Sequence, residues 1–168
     1  MNGIFFYRWV QDGEARLEYN FYENQFAPTN LVVHKVFRAM LESVRQRVDR
    51  LEVEYNDSLL AEKLGRQAGE VLRFLGASRE NLVDHKSGDV VVSRSFRAEL
   101  TEERYQYFYK LLDVALFPRF GLSEGEREHI SFHYGQYLLL RIPLAEERQF
   151  YDQLEGWQVP YQIRDIQK

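Results

Sequence analysis

The sequence predicts an α+β protein, and three observations carry that expectation. Short runs alternate apolar and polar residues as strands do, apolar residues recur at helical spacing between them, and turn residues mark the junctions. Residues 1–78 read as a ββαβα unit, and residues 88–168 read as βαββαβ, the ferredoxin-like order. The two stand either as separate units or merged into one domain.

The elements follow in order. Residues 4–10 (IFFYRWV) and 15–22 (ARLEYNFY) are strand-like, and the Asp12-Gly13 between them is a strong hairpin signal. Pro28-Thr29-Asn30 interrupts the chain. Val33, Val36, Phe37, Met40, Val44 and Val48 then predict a helix over about 30–49. LEVEY (51–55) alternates as a short strand. Asp57 or Ser58 can cap a second helix, which runs to about Leu75 and stops at Gly76.

Residues 77–89 are polar and turn-rich, which makes them the best boundary. Val90, Val92, Phe96, Ala98 and Leu100 predict a long strand. Thr101 opens a helix whose acidic first turn suits the helix dipole, and Phe117-Pro118 to Gly125 breaks it. Ile130, Phe132 and Tyr134 alternate again, Gly135-Gln136 suits a turn, and YLLLRIP continues as a strand. A helix over about 145–155 stops at Gly156, and Trp157 to Ile163 alternate, with Pro160 pointing to a sheet edge.

An internal repeat supports the second unit. RAELTEERYQY (97–107) and RIPLAEERQFY (141–151) share six identities at an offset of 44, and both fall on a strand-to-helix junction. In a ferredoxin-like sheet this would put Arg97 and Arg141 on neighbouring central strands.

Composition narrows the function classes. Cysteine is absent, which excludes a disulfide framework, a cysteine zinc site and a thiol nucleophile. No apolar run approaches the ~20 residues of a membrane span, and MNGIFFYRWV lacks the pattern of a secretory signal. A cytoplasmic protein without membrane contact is therefore expected. The formal charge of −4 is spread evenly, with 11 basic and 13 acidic residues in each half, so the chain has no basic arm for nucleic acid. Seventeen of the 22 cationic residues are Arg, the side chain suited to bidentate carboxylate or phosphate contacts.

Strand alternation places His129, Ser131 and His133 opposite Ile130, Phe132 and Tyr134. If helices cover one sheet face, Arg97, His129, His133, Tyr137 and Arg141 form a candidate binding surface on the other. Cations beside an aromatic on an open sheet are suited to anionic partners. A protein partner is the leading expectation, with nucleic acid or another anionic ligand as alternatives. The residues between His129 and His133 do not make HExxH, and a strand sets the pair two pleats apart, so neither a metal nor a cofactor is expected. P-loop, GxGxxG and GxSxG patterns are missing.

A hairpin, then Thr29-Asn30 before a helix, then RLEV (50–53) and Asp57-Ser58 opening a helix: this order resembles the ribonuclease-H-like proteins over roughly residues 3–65. The resemblance implies a related topology and, as an alternative function, a metal-dependent nuclease or phosphohydrolase. The departures are specific. No preceding strand carries a first catalytic Asp, His34 stands near where a Glu belongs, and Asp57 is shifted by one residue. The sequence therefore favours a non-catalytic binding or regulatory protein, with Asp57 as a helix cap.

Overall fold

Asp12 and Gly13 adopt φ of 55° and 76°, the left-handed pair that a two-residue hairpin turn requires. They join β1 (Ile4–Gln11) to β2 (Glu14–Asn20). The structure, a computed structural model, describes residues 3–167. A single helical turn that the sequence did not signal, α1 (Phe21–Asn24), follows β2 and is capped by the Asn20 side chain. The Asn30 side chain caps α2 (Leu31–Val44) by accepting from Val32 N at 2.8 Å. The apolar stripe of α2, including Val33, Val36, Phe37, Met40 and Val44, is buried.

In β3 (Arg50–Tyr55), Leu51, Val53 and Tyr55 are buried and the residues between them are not. The expected second helix is two pieces, α3 (Asp57–Leu64) and α4 (Ala68–Leu75), broken where Gly65 takes φ 59°. Its cap is Asn56, which has extended backbone and accepts from Leu59 N at 3.1 Å. Asp57 is the first helical residue, so the expectation that Asp57 or Ser58 is the cap is corrected.

The polar stretch after Gly76 contains an edge strand, β4 (Val83–Ser87), which a Gly88 turn joins to β5 (Val90–Glu99). Thr101 caps α5 as expected, but α5 (Glu102–Tyr109) is shorter than the periodicity suggests. The Asp113 side chain accepts from Ala115 N at 2.9 Å, a local turn that competes with helix. Leu111, Val114, Leu116 and Phe117 enter the core from irregular backbone. The stretch read as a break is β6 (Arg119–Glu124), and β7 (Arg127–His133) and β8 (Tyr137–Pro143) complete a meander. Chain order ends with α6 (Glu147–Gly156) and β9 (Tyr161–Asp165).

The α+β class holds, but the strands form one nine-stranded sheet in the order β4-β5-β3-β6-β7-β8-β2-β1-β9. Every described neighbour pair is antiparallel except β1 with β9. This order departs from the ferredoxin-like expectation for residues 88–168. β3 lies between β5 and β6 and pairs antiparallel with each. β9 joins β1 rather than the strands before it. Arg97 on β5 and Arg141 on β8 are consequently separated by β3, β6 and β7.

The helices build the core on one sheet face. Phe37 of α2 and Phe108 of α5 meet Phe120, with ring centroids 5.6 and 5.2 Å away. Phe120 stacks on Phe132 at 5.7 Å, and Phe132 meets Phe21 at 5.8 Å. Phe150 of α6 meets Phe6 at 5.3 Å. Arg8 ties β1 to α6 through Glu147 and to β9 through Asp165. Burial works to raise the Glu147 carboxyl, but hydrogen bonds from Arg8 and Tyr151 outweigh it and hold the group below the ordinary range. None of the helices among the described residues is long and apolar enough to cross a membrane.

Candidate functional site on the uncovered sheet face

The residues alternating with this core point to the opposite face. Cross-strand register sets them in rows. One runs Tyr137, His133, Arg119, Glu54, and the next runs Glu18, Leu139, Ser131, Gly121, Glu52, Arg97. A third holds Trp9, Arg16 and Arg141.

Four of the five residues singled out from sequence keep a place on this face, in separate locations. His133 and Tyr137 are cross-strand partners whose rings stack 5.0 Å apart at 16°. Arg141 stands on β8, directly opposite Arg16 of β2. Arg97 is four strands from Arg141, roughly 19 Å at ordinary strand spacing. The expected convergence of Arg97 with Arg141 is therefore corrected: the two arginines lie in separate parts of the face, with three strands between them.

His129 is not a surface residue. The β6–β7 register shifts between Leu122 and Ser123, and the extra residue opposite is His129. Its side chain is fully enclosed, with Nδ1 2.8 Å from the Arg141 carbonyl and Nε2 3.2 Å from Glu124 Oε1. It fixes the backbone that carries Arg141.

Around Arg97 the face is an ionic basin. Arg50, Glu52, Arg97, Arg119, Glu126 and Glu128 line most of a cavity of about 200 Å³. Arg97 is 3.2 Å from Glu52 and 3.6 Å from Glu126, while Arg119 is 3.7 Å from both Glu52 and Glu128. Gly121 makes the floor possible, since a Cβ there would sit 2.1 Å from Glu128 Oε2. The positive and negative groups of this basin neutralise one another.

Burial raises the Glu128 carboxyl against the opposing pull of Arg119 and Arg141, and the nearby Glu52 charge adds to the rise. A carboxyl raised in the folded state binds more protons there than in the unfolded chain. Its contribution to stability therefore falls as pH rises through its titration range, and is most favourable below it. Glu128→Gln should flatten this descent. Denaturant unfolding of both forms between about pH 4 and pH 7 checks it, with the wild type losing relative stability on the way up.

Tyr134 was read from sequence as a core-facing strand residue. It sits instead with Gly135 in the β7–β8 turn, at φ 47° and 71°. A bulky residue in the left-handed region is strained, and this one is 46% exposed. Its ring meets His133 edge-on at 4.7 Å, and its hydroxyl donates to the Glu54 carboxylate at 2.7 Å. Burial and that hydrogen bond push the phenol up to about 12. Asn at the first turn position suits the left-handed backbone, so Tyr134→Asn should keep stability within about 1 kcal/mol of wild type or raise it. The same variant should weaken partner binding if the ring is a contact; a melt and a binding titration read the two effects separately.

Asp57 lies beside β5, paired with Arg94, which also holds Asp84 at 3.0 Å. Among the described residues, no group of three or more His, Asp or Glu side chains is arranged to hold a metal ion. Sequence reasoning missed Arg16 and Arg119. Alternation places Arg16 opposite Leu17, but its β8 neighbour depends on a pairing that no local pattern announces.

Comparison with known proteins adds no assignment: no family description, curated protein or solved structure matches the chain.

Proposed function

We propose that this chain is a non-catalytic binding or regulatory protein that holds an acidic protein partner on its uncovered sheet face. The observation that supports this most is the β2–β8 part of the face, where Arg16 and Arg141 stand on adjacent strands and the His133–Tyr137 stack and the exposed Tyr134 lie two rows further along, at the β7–β8 turn. Aromatics and arginines carry binding energy at protein interfaces. Carboxylates of Glu18, Glu52, Glu54 and Glu128 are interleaved with the arginines across the same face. Such a mosaic repels a phosphodiester chain along much of its length, and suits a protein surface that sets discrete acidic groups against the arginines. The absence of cysteine agrees with a cytoplasmic setting.

The test is capture of partners from the native host, followed by affinity measurement with the purified partner across salt. Affinity should fall as salt rises, since exposed charges are screened over about 8 Å at physiological ionic strength. It should also fall in His133→Ala/Tyr137→Ala and stay unchanged in Leu112→Ala, a 71%-exposed position of the irregular segment after α5. Salt-independent binding that survives the paired substitution rejects the proposal. A recovered partner that is RNA rather than protein rejects it as well.

A further inference from the structure

Arg16 and Arg141 face one another across β2 and β8, a directly opposed like-charge pair that costs stability unless something lies between the two. Each has fewer carboxylate partners than Arg97 and Arg119 of the ionic basin, which have two apiece. The carboxylate nearest Arg16 is Asp12, at 3.7 Å and itself 79% exposed. Among the described residues Arg141 makes no ion pair, and its side chain makes no hydrogen bond. Nε of each arginine is buried without a hydrogen-bond partner, and the Arg16 side chain keeps only 15% of its exposure. The backbone beneath Arg141 is fixed by the enclosed His129 ring, 2.8 Å from its carbonyl. Two partly desolvated guanidinium groups on a rigid sheet, with donor capacity unused, require an acceptor.

We infer that Arg16 and Arg141 form a seat for a single oxyanion, the shared chemistry of an acidic side chain on a partner and of a free phosphate. This rests on the reading of the uncovered face as a binding surface and names its anchor. The fork geometry of guanidinium matches a carboxylate or phosphate bidentately, and one oxyanion between two forks relieves their mutual repulsion. Glu128, the nearby acidic group that feels Arg141, is turned across Gly121 toward Arg119 and does not fill the seat.

The probes are inorganic phosphate and a short oligoglutamate peptide, titrated at constant low ionic strength against chloride. The readouts are arginine Nε–H resonances and thermal shift. Saturable binding should move the Arg16 and Arg141 resonances together and leave Arg97 still. Arg16→Ala and Arg141→Ala should each weaken binding on the order of tenfold or more. Arg16→Lys and Arg141→Lys retain charge but lose the fork and should fall between. The alanine variants should melt at or above the wild-type temperature in the absence of ligand, because a repulsion is removed. Peptide binding much tighter than phosphate assigns the seat to an acidic protein segment, and the reverse order assigns it to a free phosphate; either supports the seat. Non-saturating shifts, or binding unchanged in Arg16→Ala/Arg141→Ala, overturn it. If a captured partner still binds with wild-type affinity in that double variant, the seat fails while the wider face stands; if His133→Ala/Tyr137→Ala also leaves it bound, both fail.

Discussion

Phe132→Ala should cost about 3–5 kcal/mol of folding stability, a large share of what a domain of this size possesses. Phe132 is fully buried on β7, stacked on Phe120 at 5.7 Å and edge-on to Phe21 at 5.8 Å. Phe120 in turn takes the rings of Phe37 and Phe108. Truncation therefore opens a cavity at the junction of α1, α2, α5 and two central strands, where rigid rings collapse poorly into the space. The consequence reaches the other face, since Ser131 and His133 flank Phe132 on the same strand. Denaturant unfolding measures the loss, with Leu112→Ala as the surface comparison, expected within about 0.5 kcal/mol of wild type. A loss below about 1 kcal/mol for Phe132→Ala would mean that this aromatic junction does not hold the sheet.

Gly76→Ala should cost roughly 2–5 kcal/mol, from backbone strain and overpacking together. Gly76 ends α4 at φ 107°, a conformation that L side chains rarely adopt. A Cβ there would lie 2.5 Å from Cβ of Ala98, which is anchored to β5 and cannot swing aside, and 3.2 Å from the Arg104 guanidinium. Helix end and sheet thus touch through the missing side chain. Gly88→Ala is the matched control. It carries a left-handed φ of 63° in open space, so it shows the backbone part of the cost alone. Equal losses for the two variants would show that the α4–β5 contact is not tight.

What could be read in the sequence was local. Asp12-Gly13 gave away its hairpin because the turn chemistry is contained in two residues, and the α2 stripe was visible because a helix displays its periodicity in one stretch. β6 was not legible: the stretch from Phe117-Pro118 to Gly125 read as a break, whereas Gly121 within it is a strand residue over which the Glu128 side chain lies. The break between α3 and α4 at Gly65 was missed because the apolar pattern continues through it. Strand partnership was the largest loss. The repeat at 97–107 and 141–151 suggested neighbouring strands, but strand partnership depends on contacts across the whole chain, and those set three strands between Arg97 and Arg141. For the same reason Arg16, a few residues from the hairpin turn, could not be seen as the neighbour of Arg141. His129 looked accessible from alternation, and one extra residue in the β6–β7 pairing moved it inside.

Side-chain oxidation footprinting of the free and partner-bound protein tests the central claim most directly, because it reports which face the partner covers. The uncovered sheet face carries Tyr134, His133 and Tyr137, whereas Leu112 and Phe74, 71% and 44% exposed, lie among the helices and their connections. The account predicts that the partner protects Tyr134, His133 and Tyr137 from oxidation and leaves Leu112 and Phe74 as reactive as in the free protein. Protection of Leu112 and Phe74, with the sheet-face aromatics unchanged, would contradict it.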